Sequence, residues 1–558
     1  MSTKKLIKAL GLIIVVALLA AALPLQAKAQ EGIDATTRYV CPPDQTCDFH
    51  SIQAAIDAAI AGDTIQVAAG TYYENLVINK SLNLIGAGID ATIVQAVKGR
   101  NYNGGGFQSP IVSITGNAAL LNLYPINITA PSGIAGPMQG SLAAFGPLPG
   151  ETGWAISGDV VYADGDHLAC SQPTNVSGKI ALIDRGTCSF IVKADNAQKA
   201  GAKGVIIANT DDSLIIMGSS AGYNITIPVA MITKSNGTLL KAQTSTVTAQ
   251  FQANPYGPGG VTITGFTFHG NVPTTVPSNW SSGGIDGLST QGIETDSSVY
   301  PYPARQNIHI TDNKFVYAGS SVVLYNTVGF EISDNIMERA TYEYTGFGFK
   351  PHGGSIAHVS GGLNGTIQDN TGFNPEGTIS VNASKVNVLG NTIAAPAEPL
   401  SGDLDIAQYG IFVMSAAHVN IEGNSISGLK AGPKLSYNNG WPGEGIWVYS
   451  NASDVTIIGN TLEDNVIGVH VEDVPAVGGP VLRGNKFIDN VYSILNQKGN
   501  IGTAVNTVDA KENYWNSEVG PNVYSVAEMG ATSWAAFYDL LDNEPFPFPP
   551  FAVSDKVD

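Results

Sequence analysis

The chain has 558 residues, a formal net charge of −19, 44% hydrophobic residues and only 13% charged ones. The apolar content excludes a disordered acidic polymer, and 64 Gly without a three-residue period exclude a collagen. With 27 Lys and Arg against 46 Asp and Glu, a nucleic-acid binder is excluded too, because phosphate contacts need clustered cations.

Lys4, Lys5 and Lys8 precede an apolar run from Leu10 to Leu23, and Ala27-Lys28-Ala29 places small residues around a cleavage position. This is the layout of a secretory signal peptide over residues 1–29. Its apolar run is short of the ~20 residues of a span, so cleavage is expected rather than an anchor. The segment holds four Lys (the fourth is Lys28) and no acid, so its removal takes the net charge from −19 to −23. No later stretch reads as a membrane span, and the mature chain is expected to be secreted. Cys41 and Cys47 bracket a short Pro-Pro-Asp loop, and Cys170 and Cys188 lie 18 apart. In an exported chain two local pairs read as two disulfides; zinc is the weaker reading, since no CxxC pair occurs.

Residues 30–117 read as a cap followed by short strands. Apolar residues at helical spacing run from Phe49 to Asp63, with Gly62 as the stop, and strands follow at Thr64–Val67, Leu76–Ile78 and Leu82–Ile85. A helix placed there would cover the open end of a stack. Residues 118–252 break this pattern. Ile180–Ile183, a helix pattern over Lys193–Lys203 stopped by Gly201, and the strand Gly204–Asn209 describe a small inserted α/β unit. Residues 256–525 repeat themselves. Alternating apolar residues lead to Asn313, Asn335, Asn370, Asn391, Asn424, Asn460, Asn485 and Asn513, at spacings of 22, 35, 21, 33, 36, 25 and 28. A unit near 22 is too short for a propeller blade and suits a coil of short strands stacked at ~4.8 Å. The Asn are expected to form a ladder, taking the left-handed turn conformation themselves while their amides bond from coil to coil. Residues 526–558 form a Pro- and Phe-rich C-terminal cap or tail.

Ser51-Ile-Gln-Ala-Ala-Ile-Asp-Ala-Ala, Gly62-Asp-Thr-Ile and Ala69-Gly-Thr-Tyr72 resemble the opening segment of right-handed parallel β-helix proteins of the pectin-lyase-like superfamily. Asn513-Tyr-Trp-Asn516 with Gly520-Pro521 resembles the motif that closes those helices. Within the insert, Ile183-Asp-Arg-Gly-Thr-Cys-Ser-Phe190 followed by Lys193 and Ala200-Gly-Ala202 resembles a protease-associated (PA) domain, with Cys170–Cys188 as its internal disulfide. The implied fold is mainly β: a right-handed parallel β-helix (solenoid) with an N-terminal capping helix and an inserted small α/β PA domain. PA domains imply a non-catalytic lid or interaction module, and the superfamily includes lyases, hydrolases and non-catalytic surface proteins.

The site is sought where insertions follow the ladder, in Ala340–Gly354, Ala395–Gln408 and Leu429–Gly443. The strands that follow align by glycine: Gly410–Met414, Gly445–Tyr449 and Gly468–Glu472. Alternation points Phe412, Trp447 and His470 outward as one row, and Met414, Tyr449 and Glu472 as a second. Trp447, Phe412, Tyr449, Trp441 and Tyr437 are candidates to stack on sugar rings from a solvent face, with Lys350 and His352 to neutralise charge. Glu444, Glu472, Asp403, Asp405 and His470 are the candidate acids and bases. No Gly-His-Gly occurs, and Asn-Thr-Asp occurs only as Asn209-Thr-Asp211 in the insert, so the pectin-hydrolase motifs are missing from the coils. The expected partner is an extracellular polysaccharide that the chain binds; if the chain is an enzyme, it cleaves that polysaccharide by lyase or hydrolase chemistry. No cofactor is required, although Ca²⁺ would be admitted on a uronate. The alternative is a non-catalytic adhesion scaffold whose PA domain binds a protein; a peptidase accessory role rests on the PA domain alone. The acidity disfavours a bare polyanion, so a neutral glycan is at least as fitting as pectin.

Overall fold

The computed structural model describes residues 35–97, 110–115, 123–256, 259–270, 292–295, 305–316, 318, 320–339, 342–344, 349–351, 355–373, 379–395, 409–429, 443–475, 477–490, 492–497, 508–515 and 523–524. The expected signal peptide lies outside the described residues.

One coil shows the plan. Tyr409–Met414 lies on face I, Asn420–Glu422 on face II and Ser425–Ser427 on face III. The next coils repeat it with Glu444–Tyr449, Thr456–Ile458 and Thr461–Glu463, then Ile467–Glu472, Val481–Arg483 and Lys486–Ile488. Neighbouring coils pair in parallel, so like positions stack on like. On face II the inward column Ile263, Ile310, Ile332, Ile367, Val388, Ile421, Ile457 and Leu482 is in register throughout and fully buried. Each such side chain stabilises the stack by roughly 1.5–3 kcal/mol. Strands Ser355–Gln368 and Ile379–Leu389 run through the corner between faces I and II and join them.

The turn from face II to face III holds the ladder. The backbone N and Nδ2 of Asn391 both donate to Asn424 Oδ1 at 2.9 Å, and Asn424 does the same to Asn460 at 2.8 and 2.9 Å. The second Nδ2 hydrogen reaches a strand carbonyl of the preceding coil, as in Asn391 to Ile367 at 2.9 Å. The pattern runs unbroken from Asn313 to Asn513. The left-handed conformation, expected at the Asn itself, belongs to the residue before it: Asp312, Asp334, Asp369, Gly390, Gly423, Gly459, Gly484 and Glu512. The Asn stays in ordinary backbone and turns its amide inward, where the next Asn and a strand carbonyl satisfy it. A second short ladder escaped the sequence reading. Asn465, fully buried, accepts from Leu429 N at 3.1 Å and donates to Asn490 Oδ1 at 3.0 Å. Asp464 and Asp489 precede them with positive φ, so the recurring Asp-Asn pair was the available signal.

The capping helix α1, Ile52–Ala58, is shorter than predicted. Ala59 turns to extended backbone, which ends the helix before Gly62. Ser51 Oγ accepts from Ala54 N, and the Glu74 carboxylate reaches across to accept from Ile52 N and Gln53 N at 2.8 Å, satisfying the free amides of the first turn. Both disulfides, Cys41–Cys47 and Cys170–Cys188, are formed.

The insert folds around four parallel strands, Ser157–Tyr162, Ile180–Asp184, Gly204–Ala208 and Val229–Ile232, flanked by antiparallel ones. Helix α2, Phe190–Lys199, connects the second and third of these strands, and α3, Lys234–Lys241, follows the fourth. Helix α2 begins a turn earlier than its predicted start at Lys193 and ends at Lys199, just before Gly201. The insert does not hang free. Val328 and Leu363 of the β-helix are fully buried within the same hydrophobic cluster as Leu142, Leu148 and Trp154 of the insert. Beside that cluster Lys385 Nζ donates to Gly146 O at 2.6 Å and pairs with Glu151 at 3.1 Å.

Candidate functional site

The site predicted on face I begins with three glycines. A Cβ on Gly410 would meet Gly445 O at 2.6 Å, one on Gly445 would meet Gly468 O at 2.5 Å, and one on Gly468 would meet Ser493 O at 2.6 Å. Glycine is needed there because consecutive coils approach too closely for a side chain. The alignment read from the glycines is the observed register: Phe412 faces Trp447, Trp447 faces His470, and Tyr449 faces Glu472.

The outward row forms a ring cluster rather than an open platform. Phe412 and Trp447 have centroids 4.5 Å apart, Trp447 and Tyr449 5.0 Å, and the Trp447 and His470 planes stack at 5.7 Å and 6°. Tyr409, which the sequence reading passed over, joins at 5.3 Å from Phe412. Trp447 is only 2% exposed and His470 1%, which corrects the expected solvent face. Phe412, Tyr449 and Glu472 are half-buried and form the accessible edge.

Glu444 opens its strand and is 1% exposed. Strict alternation would give it the inner side with Ile446 and Val448. Instead its Oε1 lies 2.7 Å from His470 Nδ1, on the outer row of the next coil. Its Oε2 has no hydrogen-bond partner among the described residues. Burial pushes the Glu444 carboxyl above its ordinary value; the His470 contact pulls it down, and the Glu472 charge pushes it up. Glu472 Oε2 lies 4.0 Å from His470 Nε2, with 13% of its side chain exposed. One imidazole therefore sits between a buried carboxyl and a more accessible one. Such an arrangement can hold a proton in the interior and pass it outward.

Of the remaining candidates, Asp403, Asp405, Tyr437, Trp441 and His352 lie outside the described residues. Lys350 sits in the strand Phe349–Pro351, paired antiparallel with Tyr342–Tyr344. Among the described residues, the cluster of candidate metal ligands within 4.8 Å of one another is Cys41, Cys47 and His50, and its two sulfurs are already joined as a disulfide. No helix among the described residues is long and apolar enough to cross a membrane.

Comparison with known proteins separates the two parts. The PA domain family matches residues 156–240, and the right-handed β-helix region family matches residues 256–509. Vacuolar-sorting receptor 3 of Arabidopsis thaliana is 37% identical over 135 residues, 21% of each chain. An aminopeptidase of Bacillus subtilis is 46% identical over 70 residues, 12% of this chain and 15% of the other. The chain thus spans about a fifth or less of the length of these relatives. The A-module of the mannuronan C-5 epimerase AlgE6 of Azotobacter vinelandii covers 83% of this chain and 89% of its own, at 14% identity and a TM-score of 0.34. The two family matches, with the coils and the insert described above, give the chain a right-handed β-helix region and, set into it, a PA domain.

Proposed function

We propose that face I, across strands Tyr409–Met414, Glu444–Tyr449 and Ile467–Glu472, binds an extracellular polysaccharide and cleaves it by acid–base chemistry. The observation that carries this reading is the contact series from buried Glu444 through His470 to half-buried Glu472, beside an aromatic edge. In this reading Tyr449 and Phe412 take the apolar face of a sugar ring. Glu472 meets the substrate, His470 links it to the interior, and Glu444 orients the imidazole and holds a proton at Oε1 or Nδ1. Hydrolysis and β-elimination both need one group that takes a proton and one that gives it back, a role this relay would serve through Glu472, and the products differ. The test is a reducing-end and unsaturated-uronate assay over a panel of neutral and acidic polysaccharides, with and without Ca²⁺. Glu472→Gln is expected to lower the rate 10²-fold or more and Glu444→Gln somewhat less, since general acid–base groups contribute ~10²–10⁴. Full activity in both variants would remove the cluster from the chemistry.

A non-catalytic scaffold is the second reading, and the burial of Trp447 and His470 is what favours it. It predicts no product with any glycan. Under either reading we take the PA domain as a fixed interaction surface rather than a moving lid, because Val328 and Leu363 give it a core in common with the β-helix. The receptor role in the names of its sorting-receptor relatives fits a protein partner there.

A further inference from the structure

The seam between the PA domain and the β-helix holds a second, unlike surface. A cleft of about 420 Å³ lies between Glu151, Thr152 and Thr226 of the insert and Asn364, Lys385 and Asn387 of the coils. A second, of about 330 Å³, runs over His309, Glu331, Thr366 and Gln368 beside Tyr256. Asn364 lines both, so they adjoin along the stack, and its Nδ2 donates to Tyr256 OH at 3.0 Å. Their floor is an outward row of face II. The register places His309, Glu331, Thr366, Asn387 and Asn420 one above another, each at least partly exposed. The first four of these line the two clefts, so side chains that can hydrogen-bond repeat at ~4.8 Å along a walled groove.

We propose that this seam is a binding site for an extended, neutral oligosaccharide, separate from the face I cluster and independent of the activity proposed there. Three arguments select that ligand. Among the lining side chains that can hydrogen-bond, amides and hydroxyls outnumber carboxylates, amines and imidazoles, and these are donors and acceptors suited to sugar hydroxyls. Their spacing is close to the advance of one sugar unit along an extended chain, so successive units meet equivalent groups. Lys385 is already paired with Glu151, and the other charged groups at the seam are the carboxylates Glu331 and Asp454, 3.1 Å from His309 and 3.8 Å from His418. A polyanion finds no surplus cation there. A peptide would have to bind through side chains alone, because the seam runs across strands already paired on both sides and offers no free sheet edge.

The test is affinity electrophoresis of the full chain through gels containing galactomannan, xyloglucan or mixed-linkage β-glucan, with polygalacturonate as the acidic comparator. It is run in a Tyr449→Ala background, so that face I does not contribute. Thr152→Trp and Thr226→Trp fill the cleft from the PA side, and Asn387→Ala removes a floor group. All three positions are exposed, and unchanged melting temperatures would show that the fold is kept. At least one neutral polysaccharide is expected to retard the protein, with tenfold weaker retardation in Asn387→Ala and in either Trp variant. Retardation by polygalacturonate alone, by no polysaccharide, or equally in all variants would overturn the proposal. So would capture on immobilised casein-digest peptides that Thr152→Trp abolishes, with no neutral polysaccharide retarded, which would assign the seam to peptide. Failure here leaves the face I product assay untouched, and the converse also holds.

Discussion

The same coils present two unlike outer surfaces. On face I the outward positions hold Phe412, Trp447 and His470 in mutual contact, with Glu444 buried behind them. On face II, in those same coils, they hold Asn420 and Thr456, bonded to each other at 2.8 Å and partly open to solvent. The inward column and the Asn ladder fix the register, so the outward positions can differ without changing the fold. A substitution on face I should therefore be paid in packing, whereas one on the floor of face II should be felt only by a ligand.

The largest effect is expected from Trp447→Ala. Removing a fully packed aromatic should cost ~3–5 kcal/mol in denaturant unfolding. Asn387→Ala on face II should stay within ~0.5 kcal/mol. Similar costs for the two would erase the distinction between the faces. Burial also changes how ligand binding is probed: loss of glycan retention in Trp447→Ala would mix packing with recognition, whereas half-buried Tyr449→Ala isolates recognition.

Next comes Asn424→Ala. It strips the acceptor from Asn391 N and Nδ2 and the donor from Val388 O, all buried. Unsatisfied buried groups cost ~1–3 kcal/mol each, partly relieved by relaxation, so a loss of ~2–4 kcal/mol is expected. Hydrogen exchange should quicken together at Ile411–Val413 on face I and Asn420–Glu422 on face II. Loosening of one face alone would show that the ladder does not serve both.

What the sequence made legible follows from periodicity. The glycines at 410, 445 and 468 report close backbone approach in three successive coils, so they reveal the register and the outward rows. The Asn series reports a buried amide column for the same reason. Features that occur once were not legible. The burial of Trp447 depends on what covers face I, and no repeat encodes that. Val328 and Leu363 read as ordinary coil residues, although they complete the core of a domain inserted some two hundred residues earlier. Lys385 and His418 sit in left-handed backbone at a face I–face II corner, where nothing local marks them as partners of the PA domain. Even Glu444, found by its position next to the aromatic strand, departs from alternation by turning outward.

A smaller effect tests how the PA domain is held. Lys385→Met removes the bonds to Gly146 O and Glu151 but leaves Val328 and Leu363 in place. A loss of ~1–2 kcal/mol is expected, as for charge-assisted bonds at a partly exposed site. Limited proteolysis should reach the 146–152 segment sooner, while the rest of the insert stays protected. Release of the whole insert would mean that the ion pair, not the shared core, anchors it.

The smallest effect separates the two surfaces by the sign of their pH dependence. Burial holds the His418 imidazole below its ordinary value of 6.5, helped by Lys385 and opposed by Asp454 and Glu151. A depressed histidine contributes stability above that ordinary value, and the contribution is lost as pH falls through the depressed one. Burial holds the Glu444 carboxyl above its ordinary 4.5. Its contribution is full below 4.5 and is lost as pH rises through the raised value. Acid should therefore loosen the seam, and rising pH should load face I with an uncompensated charge. In melting temperature against pH, His418→Asn should flatten the acid limb and Glu444→Gln the alkaline limb. The His418 step should stay below ~1 kcal/mol, because a site about one-third exposed is screened by solvent. If each substitution flattened the other's limb, the assignment of one titration to each surface would be wrong, and the two would be electrostatically one site.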